Sequence, residues 1–147
     1  MIKTIAIIVT LGALFAIWVG YPLANYNYGT SVDVSGTVLQ QPFIDGDELV
    51  YRWSGNIVRS CDVTLQRRII DSDQVVTRLT SRNLVALPAS SLGPAQFDIR
   101  VTVPVQIAEG EAVYEVVEIP RCNWMQRMVP VAVPYPPITF TVTRPDE

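Results

Sequence analysis

The sequence predicts an all-β fold, an antiparallel β-sandwich of about seven or eight strands, preceded by one transmembrane α-helix. Three observations predict it. Residues 4–24 carry no charged side chain and are mostly apolar, from Ile5, Ile7 and Ile8 through Leu14, Phe15 and Ile17 to Trp18 and Val19. About 20 residues at 1.5 Å rise cross the ~30 Å hydrocarbon core of a bilayer once. Beyond residue 30 the apolar period is two rather than 3.6, the pattern of half-buried strands. The strand-like runs are short and are separated by turn chemistry at Asp45-Gly46-Asp47, Ser54-Gly55-Asn56, Asp71-Ser72-Asp73 and Glu109-Gly110-Glu111. Residues 1–24 are therefore expected as an anchor, 25–30 as a linker, 31–143 as one domain and 144–147 as a tail.

The N-terminal run is read as an uncleaved signal-anchor in preference to a cleaved signal peptide. Signal cores are shorter, about 7–15 residues, and end in small residues at −3 and −1. Cutting after Ala24 would put Pro22 at −3, and cutting after Gly20 would put Trp18 there. Trp18, Tyr21, Tyr26 and Tyr28 form an aromatic cluster of the kind that sits at headgroup level where a helix leaves the bilayer. Lys3 is the one cationic side chain nearby, which places the N-terminus in the cytoplasm and the domain on the periplasmic or extracellular side.

Composition narrows the chemistry. The 147 residues include 11 Lys and Arg, 14 Asp and Glu and no His, for a net charge of −3. No basic stripe suits nucleic acid and no polybasic segment suits anionic lipid. The two cysteines, Cys61 and Cys122, form an even count that favours a structural disulfide outside the cytoplasm. Neither has the C-x-x-C spacing of a redox or zinc site.

Strand by strand, residues 32–39, 48–54, 61–70, 75–79, 97–103, 112–119 and an interrupted 128–142 read as β. In 97–103, Phe97, Ile99, Val101 and Val103 alternate with Asp98, Arg100 and Thr102. In 61–70, Cys61, Val63, Leu65 and Arg67 share one face and Asp62, Thr64, Gln66 and Arg68 the other. Pro134-Tyr135-Pro136-Pro137 interrupts the last strand and belongs at an edge, because proline lacks the ladder donor. This order of signals resembles the immunoglobulin-like and fibronectin-type-III-like sandwiches over most of residues 31–143. The resemblance makes the segments strands A, B, C, C′ or D, E, F and G, with C and F neighbours in one sheet. Cys61 opens C and Cys122 closes F, so both fall at one end of that sheet and can bond. Antibody domains instead bridge B to F with a Trp on C; here Trp53 lies on B. Tyr114 sits where the fold class carries its corner tyrosine, or is one more inward aromatic.

Without histidine there is no Ser-His-Asp or Cys-His arrangement, and no phosphate or dinucleotide glycine motif is present. Asp45, Asp47 and Glu48, and Asp71 and Asp73, lie in turns where Asp serves turn geometry. Calcium at Asp45–Glu48 lacks the full loop spacing. No catalytic residue, metal or cofactor is expected. The candidate contact surface is the disulfide end, where Arg59, Arg121, Trp124 and Arg127 combine the residue types that dominate interface energetics. The alternative is that Trp124 closes the core over the bridge.

The function expected is thus a small single-pass membrane protein, held in the bilayer through residues 4–24, that presents its domain for protein–protein contacts and is not an enzyme. Its layout resembles accessory membrane proteins of bacteria and their phages. Two alternatives stand beside it. One is an assembly subunit of a phage particle or envelope complex, and the other a secreted sandwich after signal-peptide cleavage.

Overall fold

In the computed structural model, residues 2–24, 29–41 and 47–143 are described; within the first helix the side chains described are those of residues 10–21. Helix α1 (Ile2–Ala24) is followed by β1 (Ser31–Gln40), β2 (Glu48–Ile57), β3 (Asp62–Ile70), β4 (Val76–Leu84) and a 3-10 turn (Ala89–Ser91). Then come β5 (Gly93–Thr102), β6 (Gly110–Arg121), the one-turn helix α2 (Trp124–Met128), β7 (Val133–Pro134) and β8 (Ile138–Val142). Tyr26, Tyr28, Asp45 and the tail 144–147 lie outside the described residues.

The strands form two antiparallel sheets. One has the order β1-β2-β5; the other runs β4-β3-β6, with β7 and β8 both paired to the far side of β6. The alternation expected from sequence is what builds the layer between them. Leu49, Tyr51 and Trp53 of β2 and Ala112, Tyr114 and Val116 of β6 point inward and are buried, as are Ile138, Phe140 and Val142 of β8. Their intervening neighbours face out. The split last strand follows from its prolines. Pro134 ends β7 opposite Val117 at the sheet edge, and pairing resumes at Ile138.

Several boundaries differ from the sequence reading. The fourth strand extends to Leu84 rather than 79, because Val63, Thr64 and Leu65 of β3 offer ladder partners to Leu84, Asn83 and Arg82. Residues 124–128 are one helical turn rather than loop or strand, started by Asn123, whose Oδ1 accepts the Gln126 N–H at 2.9 Å. Among the described residues no helix is long and apolar enough to cross a membrane. The side chains described on α1 span only about 18 Å of its axis at 1.5 Å per residue.

The distal end, opposite the cysteines, is the tightly closed one. Leu49, Ile69, Val103, Ile107, Ala112 and Val142 are fully buried there. Asp71 ties its loops together: Oδ1 accepts the Asp73 and Val75 amides at 3.0 and 2.9 Å, and Oδ2 accepts Ala108 N–H at 3.2 Å. Ser72 Oγ donates to the Glu109 carbonyl at 2.7 Å, and Gly110, at φ +118°, leaves room for Ser72. Of the acidic pair read from sequence as turn residues, Asp71 is therefore a loop clamp, and Asp73 supplies one of the amides it holds. The Val75 amide, helped by those of Ala108 and Asp73, holds the Asp71 carboxyl below the usual range, while burial pulls the other way. A depressed folded value means its stabilisation is present above the unfolded value near 3.9 and is lost as pH falls through the folded one. Melting curves of wild type and Asp71→Ala should accordingly differ most near neutral pH and converge in acid, as pH falls through the depressed folded value. A gap independent of pH would show that the turn needs no carboxylate.

Candidate functional site

The disulfide end is assembled by register. Asp62 pairs with Arg121 at the last rung between β3 and β6, so Cys61 and Cys122 follow as the next positions. Their Cα atoms are 4.9 Å apart and the sulfurs are bonded, within the spacing a disulfide accepts. The chain enters the sandwich at this same end. The Thr30 carbonyl accepts the Val58 and Arg59 amides at 2.9 and 3.3 Å. The β4–β5 connection is held here as well, with Ser60 Oγ donating to the Leu87 carbonyl and Ala86 N–H to Asp62 Oδ1. Behind the bridge, Gln126 is buried and its Oε1 accepts Cys122 N–H at 2.9 Å, fixing α2 against the end of β6.

Beneath the entry strand lies Glu118, fully buried on the inward face of β6. Its Oε1 accepts the Thr30 amide and its Oε2 the Tyr135 hydroxyl, each at 2.6 Å. Burial, and then the Glu118 carboxylate, push the Tyr135 phenol well up, so it stays a proton donor. Gly29 passes so near that a Cβ there would stand 3.2 Å from Oε2.

Of the residues expected to form a contact surface, Arg121 and Arg127 are exposed and Arg59 is half-buried. Trp124 is half-buried. Its ring stacks on that of Trp18 from α1, centroids 5.2 Å apart at 12°. The Trp124 indole nitrogen is buried without a hydrogen-bond partner. The structure thus brings Trp124 to helix α1. Of the expected membrane-interface aromatics, Trp18 and Tyr21 are exposed.

Sequence reasoning missed a cleft of about 530 Å³ between the two sheets in this half of the domain. It exists because β5 and β4 are the free edges of their sheets, and the connection between them, residues 85–92, supplies no strand to close that side. Tyr51, Trp53, Val63 and Tyr114 line its depth, with Phe97 and Ile99 of β5 on one side and Leu84 and Leu87 across from them. Phe97 lies on the face that alternation assigns to the core, opposite Trp53 in register and stacked on it at 5.6 Å, yet it is 51% exposed. That exposure is the opening of the cleft.

Its polar groups are unusual for an interior. Arg67 faces inward from β3 and donates to the Thr80 carbonyl at 2.6 and 3.2 Å; Arg82, opposite Leu65, and Arg59 also line the space. No Asp or Glu does. The Tyr51 and Tyr114 rings lie 5.7 Å apart, and burial pushes both phenols up, so both remain neutral donors at physiological pH. The Tyr114 hydroxyl, in a residue only 1% exposed, has no hydrogen-bond partner. Arg67 and Tyr51 act on it at close range without hydrogen-bond geometry. Tyr114 is therefore an inward aromatic rather than a corner tyrosine. One signal was legible: the face shared by Cys61, Val63, Leu65 and Arg67 places an arginine toward the core, where it needs a reason.

No family model matches the chain, and no curated protein matches it. Among solved structures it is similar to Spo0M, the sporulation control protein of Bacillus subtilis, with a TM-score of 0.43 and 14% identity over 79% of this chain. The match covers 50% of that structure's length, so the chain spans about half of it.

Proposed function

We propose that this chain is a membrane-tethered, non-enzymatic binding module, whose sandwich of immunoglobulin-like type is displayed on the periplasmic or extracellular side. The observation that carries the reading is α1. It runs for 23 residues, about 34 Å at 1.5 Å per residue, and residues 4–24 are free of charge. Its described side chains, Leu11, Leu14, Phe15, Ile17, Trp18 and Tyr21, are exposed. An apolar helix with so little protein around it is unstable in water and at home in lipid. Those described side chains are too short a stretch to span; the reading adds the apolar sequence 4–9 that precedes them.

The strand order supports the family-level reading, with β1-β2-β5 as A-B-E and β4-β3-β6 with β7 and β8 as C′-C-F-G. The bonded cysteines support the oxidising side of a membrane. Trp18 against Trp124 supports a domain held close to the bilayer, disulfide end inward, with Arg121 and Arg127 left exposed for a protein partner. Intact-mass analysis of protein extracted from membranes should retain residues 1–24, and a protease added from outside should reach the sandwich. Recovery of a mature chain that begins beyond residue 24 would refute the tether, and protection of the sandwich in sealed cells would refute the orientation.

A further inference from the structure

We infer that the cleft between the sheets is a binding site for a single-chain anionic amphiphile, one apolar chain ending in a carboxylate or phosphate. This goes beyond the proposed tether and does not depend on it. Four observations converge. The cleft's volume, about 530 Å³, lies within the ~300–1,000 Å³ typical of small-molecule sites. Its depth is aromatic and aliphatic, and Phe97 stands half-exposed on a face that should be core. Its cations are Arg59, Arg67 and Arg82, with no carboxylate among the lining residues of a chain whose net charge is −3. Neither Arg67 nor Arg82 forms an ion pair among the described residues. Last, the Tyr114 hydroxyl is buried in the lining with no partner in hydrogen-bond geometry, Arg67 and Tyr51 being its polar neighbours.

Each feature is a cost if the cleft is empty. A buried hydroxyl with no partner in hydrogen-bond geometry is destabilising, and Arg67, though it donates to the Thr80 carbonyl, uses only part of a guanidinium's five N–H donors there. An anionic oxygen accepts from a guanidinium and a phenol alike, and charge-assisted bonds are the strong ones. An apolar chain then covers Phe97, Ile99 and Leu84. A neutral or cationic amphiphile satisfies the apolar wall but offers no anion to Arg67 and Arg82, so the head group decides selectivity.

The test uses the full chain in phosphatidylcholine vesicles with a long-chain fatty acid carrying a mid-chain diazirine. After irradiation, label is expected in the peptides of β3, β4 and β5, around Leu65, Leu84 and Ile99. Oleate or 1-oleoyl-lysophosphatidate should compete, whichever does so better identifying the head group, whereas oleyl alcohol and a trimethylammonium amphiphile of equal chain length should not. Arg82 is exposed, so Arg82→Gln should leave melting unchanged and weaken labelling about tenfold, the loss of one charge-assisted contact. Ile99→Trp, which fills the cleft, should abolish labelling of the sandwich. Label confined to α1, equal competition by oleyl alcohol, or full labelling of folded Ile99→Trp would each overturn the site.

Discussion

Replacing Cys61 and Cys122 together by alanine should lower the unfolding free energy of the domain by about 4 kcal/mol. The bridge spans 61 residues of sequence, and an unfolded chain released from a loop of that size gains entropy of that order. For a domain near 110 residues the loss corresponds to a fall in Tm of roughly 15 °C. The folded side of the balance changes less, because the pairing of β3 with β6 runs unbroken from Asp62 to Ile70 and does not need the bridge for its register. Thermal unfolding of the full chain, read by circular dichroism with and without the double substitution, measures the effect. A shift of only a few degrees would mean that the ladder already restrains the reduced, unfolded ensemble. The functional consequence falls at the same end, since α2, the Thr30 entry and Arg59 are all held next to the bridge. A loosened end should also weaken amphiphile labelling before global unfolding begins.

Glu118→Ala should cost about 3 kcal/mol, the second large effect. The truncation leaves the Thr30 amide and the Tyr135 hydroxyl without an acceptor in a buried setting. Glu118→Gln keeps one carbonyl for Thr30 and turns an N–H₂ toward Tyr135, whose oxygen can accept, so about 1 kcal/mol is expected. The Ala and Gln variants thus separate lost hydrogen bonds from lost charge, and urea unfolding of both measures the difference. Equal stability of wild type and Glu118→Ala would show that desolvating the carboxylate cancels what its two bonds supply. Because Thr30 is where the chain passes from α1 into β1, the same substitution should free the junction between helix and sandwich.

What sequence alone determined was whatever one strand or one turn can express. Period-two alternation separates the two faces of a strand, so Phe97, Ile99, Val101 and Val103 fall on one face before any partner strand is known. Proline's missing donor puts the break in the last strand at residues 134–137. The positions of Cys61 and Cys122 at the ends of two strands sufficed to pair them once those strands were neighbours. Even the anomaly of Arg67 was visible, as a charge on an apolar face.

The tertiary structure decided what depends on how edges and loops meet. Alternation says that Phe97 faces the other sheet, but not whether that sheet reaches it. The connection between β4 and β5 adds no strand, so the inner face stays open and Phe97, Arg67 and Arg82 line a cleft instead of a core. Glu118 follows the same parity as its apolar neighbours, and only the arrival of Thr30 and Tyr135 from distant segments makes its burial tolerable. Trp124 stacks on Trp18, which lies more than a hundred residues earlier in the chain. In each case local periodicity sets the direction of a side chain. What the side chain meets is set by long-range packing, whose energy comes from groups that no short stretch of sequence contains.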